Sequence, residues 1–254
     1  MVHIYAPVTS INRIGPDIYV MGLHAPEIAS GILPGQFVNL RVHDGYQPLL
    51  RRPFSIYRVT GETIELIFNL VGTGTTILHS KKVGDEIDMI GPLGRPFHTD
   101  DKFETAIVMG GGMGVAPLPI LTQALKRNRK IVTYLGARSK EFLVTSYLEN
   151  LCIATDDGSA GFHGTVVELL RSNLTEKSLP SSKIFACGPN PMLKAVSKLA
   201  DEFGIPCELS LESVMACGIG ICQGCPVENA NSEKKYSLIC KDGPVFNSKA
   251  IIVS

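Results

Sequence analysis

The sequence predicts a β plus α/β fold in three successive parts. An antiparallel barrel or sandwich comes first, a doubly wound parallel sheet second, and a small cysteine-rich domain last. Three observations predict it. Short runs rich in β-branched and aromatic residues, broken by turn clusters, fill residues 1–98. Apolar strands then alternate with helical stretches over residues 99–208. Residues 209–254 lose that alternation and gather Cys217, Cys222, Cys225 and Cys240.

In the first part, DIYVMGLH, GQFVNLRV, FSIYRVT and TIELIFNLV read as strands, separated by RIGPD, VTGET and KKVGDE. DEIDMIGPLGRPF reads as a last strand with a Pro/Gly-rich exit. In the second part TAIVMG is a strand and GGMGVAPLPILTQALKRN a glycine turn opening a helix. Pro117 and Pro119 suit that helix's first turn, where backbone N–H groups are unpaired anyway. KIVTYLGAR is the next strand, EFLVTSYLENL is expected as a helix, and CIATDDG as a third strand. GTVVELLRSN and NPMLKAVSKLADEFG read as helices around the strand KIFACG. The third part is expected to be irregular.

Composition narrows the function classes. Lys+Arg and Asp+Glu are both 24, a balance that disfavours nucleic acid or an anionic membrane as main partner. No apolar run is long enough to cross a bilayer as a helix, and MVHIYAPVTSINRIG lacks the pattern of a signal peptide. A cytoplasmic location is expected. Seven cysteines without an export signal favour metal or redox chemistry over disulfides. The six histidines are scattered, and no Ser/His/Asp set or carboxylate pair stands out.

Cys217, Cys222 and Cys225 form C-x4-C-x2-C, and Cys240 follows after 14 residues. This is the ligand spacing of plant-type 2Fe–2S clusters. Thiolate-held clusters need hydrogen-bond donors nearby. Gly218, Gly220 and Gly224 would let the backbone wrap the sulfurs and aim N–H groups at them. The competing readings are a zinc site, which usually shows two C-x2-C pairs where this chain has one, and a disulfide framework. Cys152 and Cys207 read as small core residues.

Two stretches point to a nucleotide. VMGGGMGVAPLPIL places Gly110, Gly111, Gly112 and Gly114 between a strand and a helix, where backbone can approach a pyrophosphate. The match to G-x-G-x-x-G is imperfect, and a tight turn without a ligand is the alternative. Cys187, Gly188 and Pro189 end a later strand, at the edge where open α/β sheets bind ligands, and read equally as a plain turn with a Pro-started helix. Asp156 and Asp157 would accept bonds from ribose hydroxyls and repel a 2′-phosphate, favouring NAD with Asp157 as its contact. Arg138 and Lys140 argue the other way, toward NADP, and all four also read as solvated loop charges.

In LLRRPFSIYRV an arginine held before proline can clamp a diphosphate, and Ser55 can bond a flavin edge. A solvated surface pair is the plainer reading. NLVGTGTTIL adds Gly72, Gly74 and Thr75, where backbone can meet phosphate.

Taken in order, these pieces resemble the ferredoxin–NADP reductase superfamily. Its marks are R-x-[YF]-S, G-G-G-x-G and C-G-P, here Arg52-Pro53-Phe54-Ser55, Gly110-Gly111-Gly112-Met113-Gly114 and Cys187-Gly188-Pro189. MACGIGICQGCPVE and YSLICKDGPVF narrow it to a resemblance with electron-transfer subunits of heteromeric, NAD-linked dihydroorotate dehydrogenases. The resemblance covers essentially the whole chain. It implies an FAD-binding barrel (1–98), an NAD-binding sheet (99–208) and a 2Fe–2S domain (209–254). It implies FAD contacts at Arg52–Ser55, Ile67-Phe68-Asn69 and Gly74-Thr75, and ligation by Cys217, Cys222, Cys225 and Cys240. The family commonly has I-Y-R where this chain has Ile67-Phe68-Asn69, so one flavin phosphate contact is missing unless Arg51 or Arg52 replaces it. The implied activity is an electron relay in pyrimidine biosynthesis. An FMN-containing catalytic partner, in a heterotetramer of two copies of each subunit, would oxidise dihydroorotate. Electrons would pass through the cluster and FAD to NAD+, with no side chain acting as acid or base. Met215, Ile219 and Ile221 are candidate partner contacts or core. A reductase for a hydrogenase, sulfide dehydrogenase or oxygenase is the enzyme alternative. A zinc-stabilised binding module is the non-enzymatic one.

Overall fold

The computed structural model describes residues 1–174, 181–230 and 233–253. The first part is a closed barrel. Its strands are β1 (Val2–Gly15), β2 (Ile18–His24), β3 (Phe37–Arg41), β4 (Arg52–Thr60), β5 (Thr63–Asn69) and β6 (Glu86–Leu93), in the order β1-β2-β5-β4-β3-β6. Helix α1 (Pro26–Ala29) follows β2, and α2 (Thr73–Ser80) joins β5 to β6. Met21, Leu23, Val38, Leu40, Ile56, Ile64 and Met89 fill the interior and are fully buried. Strand β1 carries no clear strand pattern in the sequence. It pairs with β6 through Val2–Pro7 and with β2 from Val8 onward, so its two halves change partner to close the barrel. No single inside–outside alternation survives such a change.

The second part alternates strands and helices: β7 (Thr105–Gly111), α3 (Leu118–Leu125), β8 (Lys130–Ala137), β9 (Leu151–Thr155), β10 (Phe162–His163), α4 (Val166–Asn173), β11 (Ser182–Cys187), α5 (Asn190–Phe203) and β12 (Cys207–Ser210). The strands are parallel, in the order β10-β9-β8-β7-β11-β12. All of β11, and β7 from Ala106 on, are buried, as helix-covered strands must be. Helix α4 starts on a capping box, with Glu168 N–H donating to Thr165 Oγ1 at 3.2 Å and Thr165 N–H to Glu168 Oε2 at 2.8 Å. Helix α5 ends at Gly204, whose φ of 65° is the left-handed cap.

The helix expected over EFLVTSYLENL is absent. A short turn at Lys140–Phe142 gives way to irregular chain, and Leu151 already begins β9. Tertiary contacts override the helical pattern here. Leu143, Val144 and Leu148 pack with the barrel residues Ile18, Tyr57 and Ile67, and Arg58 lies 4.0 Å over the Tyr147 ring. Asn150 Nδ2 donates to Ile131 O at 2.7 Å, and Tyr147 and Asn150 both take positive φ, which ends any helical run.

The tail is more regular than expected. Strands β13 (Pro226–Asn229) and β14 (Tyr236–Leu238), helix α6 (Ile239–Asp242), and strands β15 (Val245–Asn247) and β16 (Ile251–Ile252) follow. They form a small sheet, β14-β13-β16, while β15 crosses over to pair antiparallel with β12. Two to four residues per strand are too few to display an alternation. No helix among the described residues is long and apolar enough to cross a membrane.

A buried ionic group fastens the barrel exit to the sheet. Lys183 Nζ meets Asp101 at 2.5 Å and Glu208 at 3.2 Å, and Glu208 takes His98 Nδ1 at 2.6 Å. Lys183 and Glu208 are both buried, so each offsets the other's desolvation.

Candidate cofactor sites

The four cysteines of the spaced motif come together as two pairs. Cys222 N–H points at Cys217 Sγ (3.5 Å), and Cys240 N–H at Cys225 Sγ (3.4 Å). Ile219 and Gly224 add N–H groups aimed at Cys217 Sγ and Cys222 Sγ, at 3.5 and 3.4 Å. Cys225 and Cys240 are buried, Cys217 half-buried and Cys222 exposed. Burial acts to raise the Cys217 thiol, but N–H donors from Cys222, Ile219 and Ile221 outweigh it and bring the group down to about 6. Cys240 is pushed up to about 12, first by burial and then by the Cys225 thiol beside it. Such crowding suits a pair that gives up its protons to metal. Among the described residues no group of three or more His, Cys, Asp or Glu closes on a single ion. Gly218 and Gly220 have φ of 70° and 86°, the left-handed region that favours glycine. A Cβ on Gly218 would lie 2.4 Å from Asn39 Nδ2, so a barrel residue, as well as the sulfurs, dictates that glycine.

Beside this loop lies a cleft of about 370 Å³. Pro53, Phe54, Ser55, Ile67, Phe68, Asn69 and Thr75 line it, seven residues singled out from the sequence. The first six share it because β4 and β5 are neighbours in the barrel, and Thr75 joins them from the first turn of α2. Arg52 and Gly74 lie against each other, with the Gly74 Cβ position 3.3 Å from Arg52 Nε. This puts a guanidinium beside the first turn of α2, an anion-favouring place. Thr75 Oγ1 accepts from Val71 N–H at 3.0 Å and so shapes that turn. Asn69 Oδ1 is buried without a partner among the described residues. Arg51 is not available to replace a lost arginine at Asn69. It clamps Asp88 through both carboxylate oxygens at 2.8 Å and reaches Asn39 O at 3.4 Å.

The rest of the lining includes Phe37, Met113, Glu212, Ser213 and Pro244, which the sequence does not single out, and Met215, which it offers as a partner contact or core residue. Nothing in their types announces this role. The nearest signal is that Glu212 and Met215 just precede Cys217. Burial raises the Glu212 carboxyl above the usual range. Met215 belongs to the core, packed with Cys225 and Cys240, while Ile221 of the same loop is exposed.

The two candidate nucleotide turns stand side by side at the C-terminal ends of β7 and β11. A Cβ on Gly114 would fall 2.2 Å from Cys187 O, and one on Gly111 2.5 Å from Met192 Sδ. Gly110 is pressed by Leu118 in the same way, at 2.7 Å. Packing therefore accounts for these three, and for Gly188, which faces Gly111 N. Gly112 differs: its φ is 53° and its Cβ position meets open space. Pro189 caps α5. Burial raises the Cys187 thiol, with the Glu212 charge adding to the effect. Asp157 spends its carboxylate on its own turn, accepting from Ser159 N–H at 2.9 Å and Ser159 Oγ–H at 2.6 Å. Those bonds hold the Asp157 carboxyl below its ordinary range. The exposed Asp156 carboxylate makes no hydrogen bond with the described residues.

Residues 212–252 match the model of the iron-sulfur cluster binding domain of dihydroorotate dehydrogenase B. The electron transfer subunit of dihydroorotate dehydrogenase B (NAD(+)) from Desulforamulus reducens is 38% identical over 256 residues, covering 97% of each chain. This chain belongs to that family. The family's Fusobacterium nucleatum member is also 38% identical, over 92% of each chain. Among solved structures, an NADH-dependent reduced ferredoxin–NADP oxidoreductase superposes with a TM-score of 0.87 at 30% identity, covering 98% of this chain and 90% of that one. A ferredoxin NADP+ reductase from Neisseria gonorrhoeae, 16% identical, has a TM-score of 0.66 over 80% of this chain and 92% of its own, and shares the fold.

Proposed function

We propose that this chain is the electron-transfer subunit of an NAD-linked dihydroorotate dehydrogenase, working in pyrimidine biosynthesis beside an FMN-containing catalytic partner in a two-plus-two heterotetramer. The observation that carries the proposal is one cleft built by all three modules. Barrel residues 53–55 and 67–69 form one wall, Met113 and Ala116 of the sheet module another, and Ser210, Met215 and Pro244 of the cysteine module the rest. The modules are residues 1–98, 99–208 and 209–254.

Cys217 with Cys222, and Cys225 with Cys240, would each hold one iron of a 2Fe–2S cluster, the use that two close pairs of thiols suit best. The FAD ring would lie on Pro53–Ser55 and Ile67–Asn69, with its diphosphate between Arg52 and the Gly74–Thr75 turn. The apolar lining and the unpartnered Asn69 Oδ1 fit an aromatic ring with polar edges. Gly110–Gly114 and Cys187–Pro189 would frame the nicotinamide nucleotide, with Gly112 open to it. Asp157 shapes the ribose turn and Asp156 offers it a free carboxylate, which favours NAD. When bound, the cluster carries single electrons, the flavin stores two, and the nicotinamide takes them as hydride. The protein's part is to hold the three in line and keep water out. Exposed Ile221 and Val214, beside the cysteine loop, would meet the partner. The setting is the cytoplasm.

Reconstitution with a dihydroorotate dehydrogenase catalytic subunit tests this. Dihydroorotate-dependent reduction of NAD+ should appear with the wild-type chain and vanish with Cys240→Ser. The likeness to the ferredoxin–NADP oxidoreductase favours a second reading, a reductase module for another partner. A reconstituted pair that stays inactive with dihydroorotate, while the chain alone oxidises NADH, would favour that reading.

A further inference from the structure

Asn39 is a polar residue with 0% exposure on barrel strand β3, and the electron relay as described gives it no task. Its Nδ2 donates to the backbone oxygen of Cys217 at 3.1 Å, a bond that spans 178 residues of sequence. Its Oδ1 has no partner among the described residues. The Cys217 turn is shaped to receive it, because Gly218 at φ 70° presses its bare Cα side against the amide. The backbone oxygen of Asn39 is in turn held by Arg51, which is locked to Asp88.

The same strand touches the flavin cleft. Phe37 lines it and pairs in register with Ser55, while Asn39 pairs with Pro53. Alternate residues of a strand leave the same face, about 7 Å apart. Strand β3 therefore presents Phe37 to the cleft and Asn39 to the cysteine loop, at a spacing the backbone sets.

We propose that Asn39 is a positioning residue that fixes the cluster loop in register with the flavin face of the barrel. This rests on the cluster assignment above. The amide anchors Cys217 to the strand whose neighbouring side chain touches the flavin cleft, so the gap between the two redox groups is set by a β-strand rather than by a loop. Outer contacts of this kind govern how firmly a metal site is held and at what potential it works.

The test uses anaerobically prepared full-length chain. FAD and iron content, cluster loss to a chelator, the EPR spectrum after dithionite and the cluster midpoint potential are read for four variants. Asn39→Asp keeps the shape and loses the donor. It should retain FAD while the cluster potential falls and the EPR g-values move. Asn39→Leu should lose its cluster to chelator on the order of tenfold faster with FAD retained. Gly218→Ala reaches the same contact from outside the barrel and should weaken the cluster equally. Adding Asn39→Ala to Gly218→Ala should cost little further, since the contact is already broken. Should Asn39→Leu fail to fold, Gly218→Ala and its double variant decide. Variants matching wild type in iron retention, spectrum and potential would overturn the proposal. So would a double variant that loses its cluster about a further tenfold faster than Gly218→Ala, as independent effects would. Wild-type chain that holds no iron under any preparation would instead refute the cluster assignment, and this proposal with it.

Discussion

Asn69 shows how one side chain can depart from a family pattern and still face the same cleft. Its buried Oδ1, unpartnered among the described residues, is an acceptor that a flavin ring edge would supply with a donor. Asn69→Ala should weaken FAD binding by about 1 kcal/mol, roughly fivefold in Kd, with the cluster bands unchanged. Titration of the flavin-free protein with FAD measures it. The guanidinium charge missing at position 69 is left to Arg52 alone, since Asp88 already occupies Arg51. In the turn after β9, the structure separates two adjacent carboxylates that look equivalent in sequence. Asp157 serves its turn through Ser159, and Asp156 stays free. Sequence could not separate them, because only the turn geometry decides which carboxylate is consumed.

Short elements carry the tail. Asp242 closes the turn from β14 into α6, accepting from Leu238 N–H at 2.8 Å and meeting Lys234 Nζ at 3.2 Å, two residues after Cys240. Those contacts, the Leu238 N–H foremost, hold its carboxyl below the ordinary range. A carboxyl whose folded pKa is depressed adds stability above its unfolded pKa, about 3.9, and loses it as pH falls through the folded value. Asp242→Asn should therefore cost about 1 kcal/mol at pH 7, and the gap from wild type should close as the pH is lowered toward 4 and below. Denaturant titrations across that range measure it. Element type was legible wherever an element has its own pattern. Helices α4 and α5 carry a capping box and a glycine stop, and β7 and β11 are continuous apolar runs. It was illegible where partners outside the segment decide. The 143–148 stretch packs on the barrel instead of coiling, β1 switches partners, and β15 leaves its own module to join the central sheet. Likewise one wall of the cleft was readable from R-P-F-S, while Phe37, Glu212 and Met215 reach it only through the chain's path.

Across the whole molecule, one buried hydrophobic cluster runs through barrel, central sheet and tail, and a buried ionic group ties the barrel exit to the sheet. Glu208 of β12 binds both Lys183 of β11 and His98 at the barrel exit. Glu208→Ala would strand much of a buried ammonium charge and should destabilise the chain by about 3 kcal/mol. A thermal melt followed by flavin release should show barrel and sheet loosening together. The cleft draws its lining from barrel, central sheet and tail. A relay built this way should run in either direction within the isolated chain. Adding NADH alone, without oxygen, and recording the EPR spectrum tests this most directly. The account predicts the signal of a reduced 2Fe–2S cluster in the wild type and its loss in Cys240→Ser. Flavin bleached by NADH while an iron-loaded cluster stays oxidised, or a chain without iron, would contradict it.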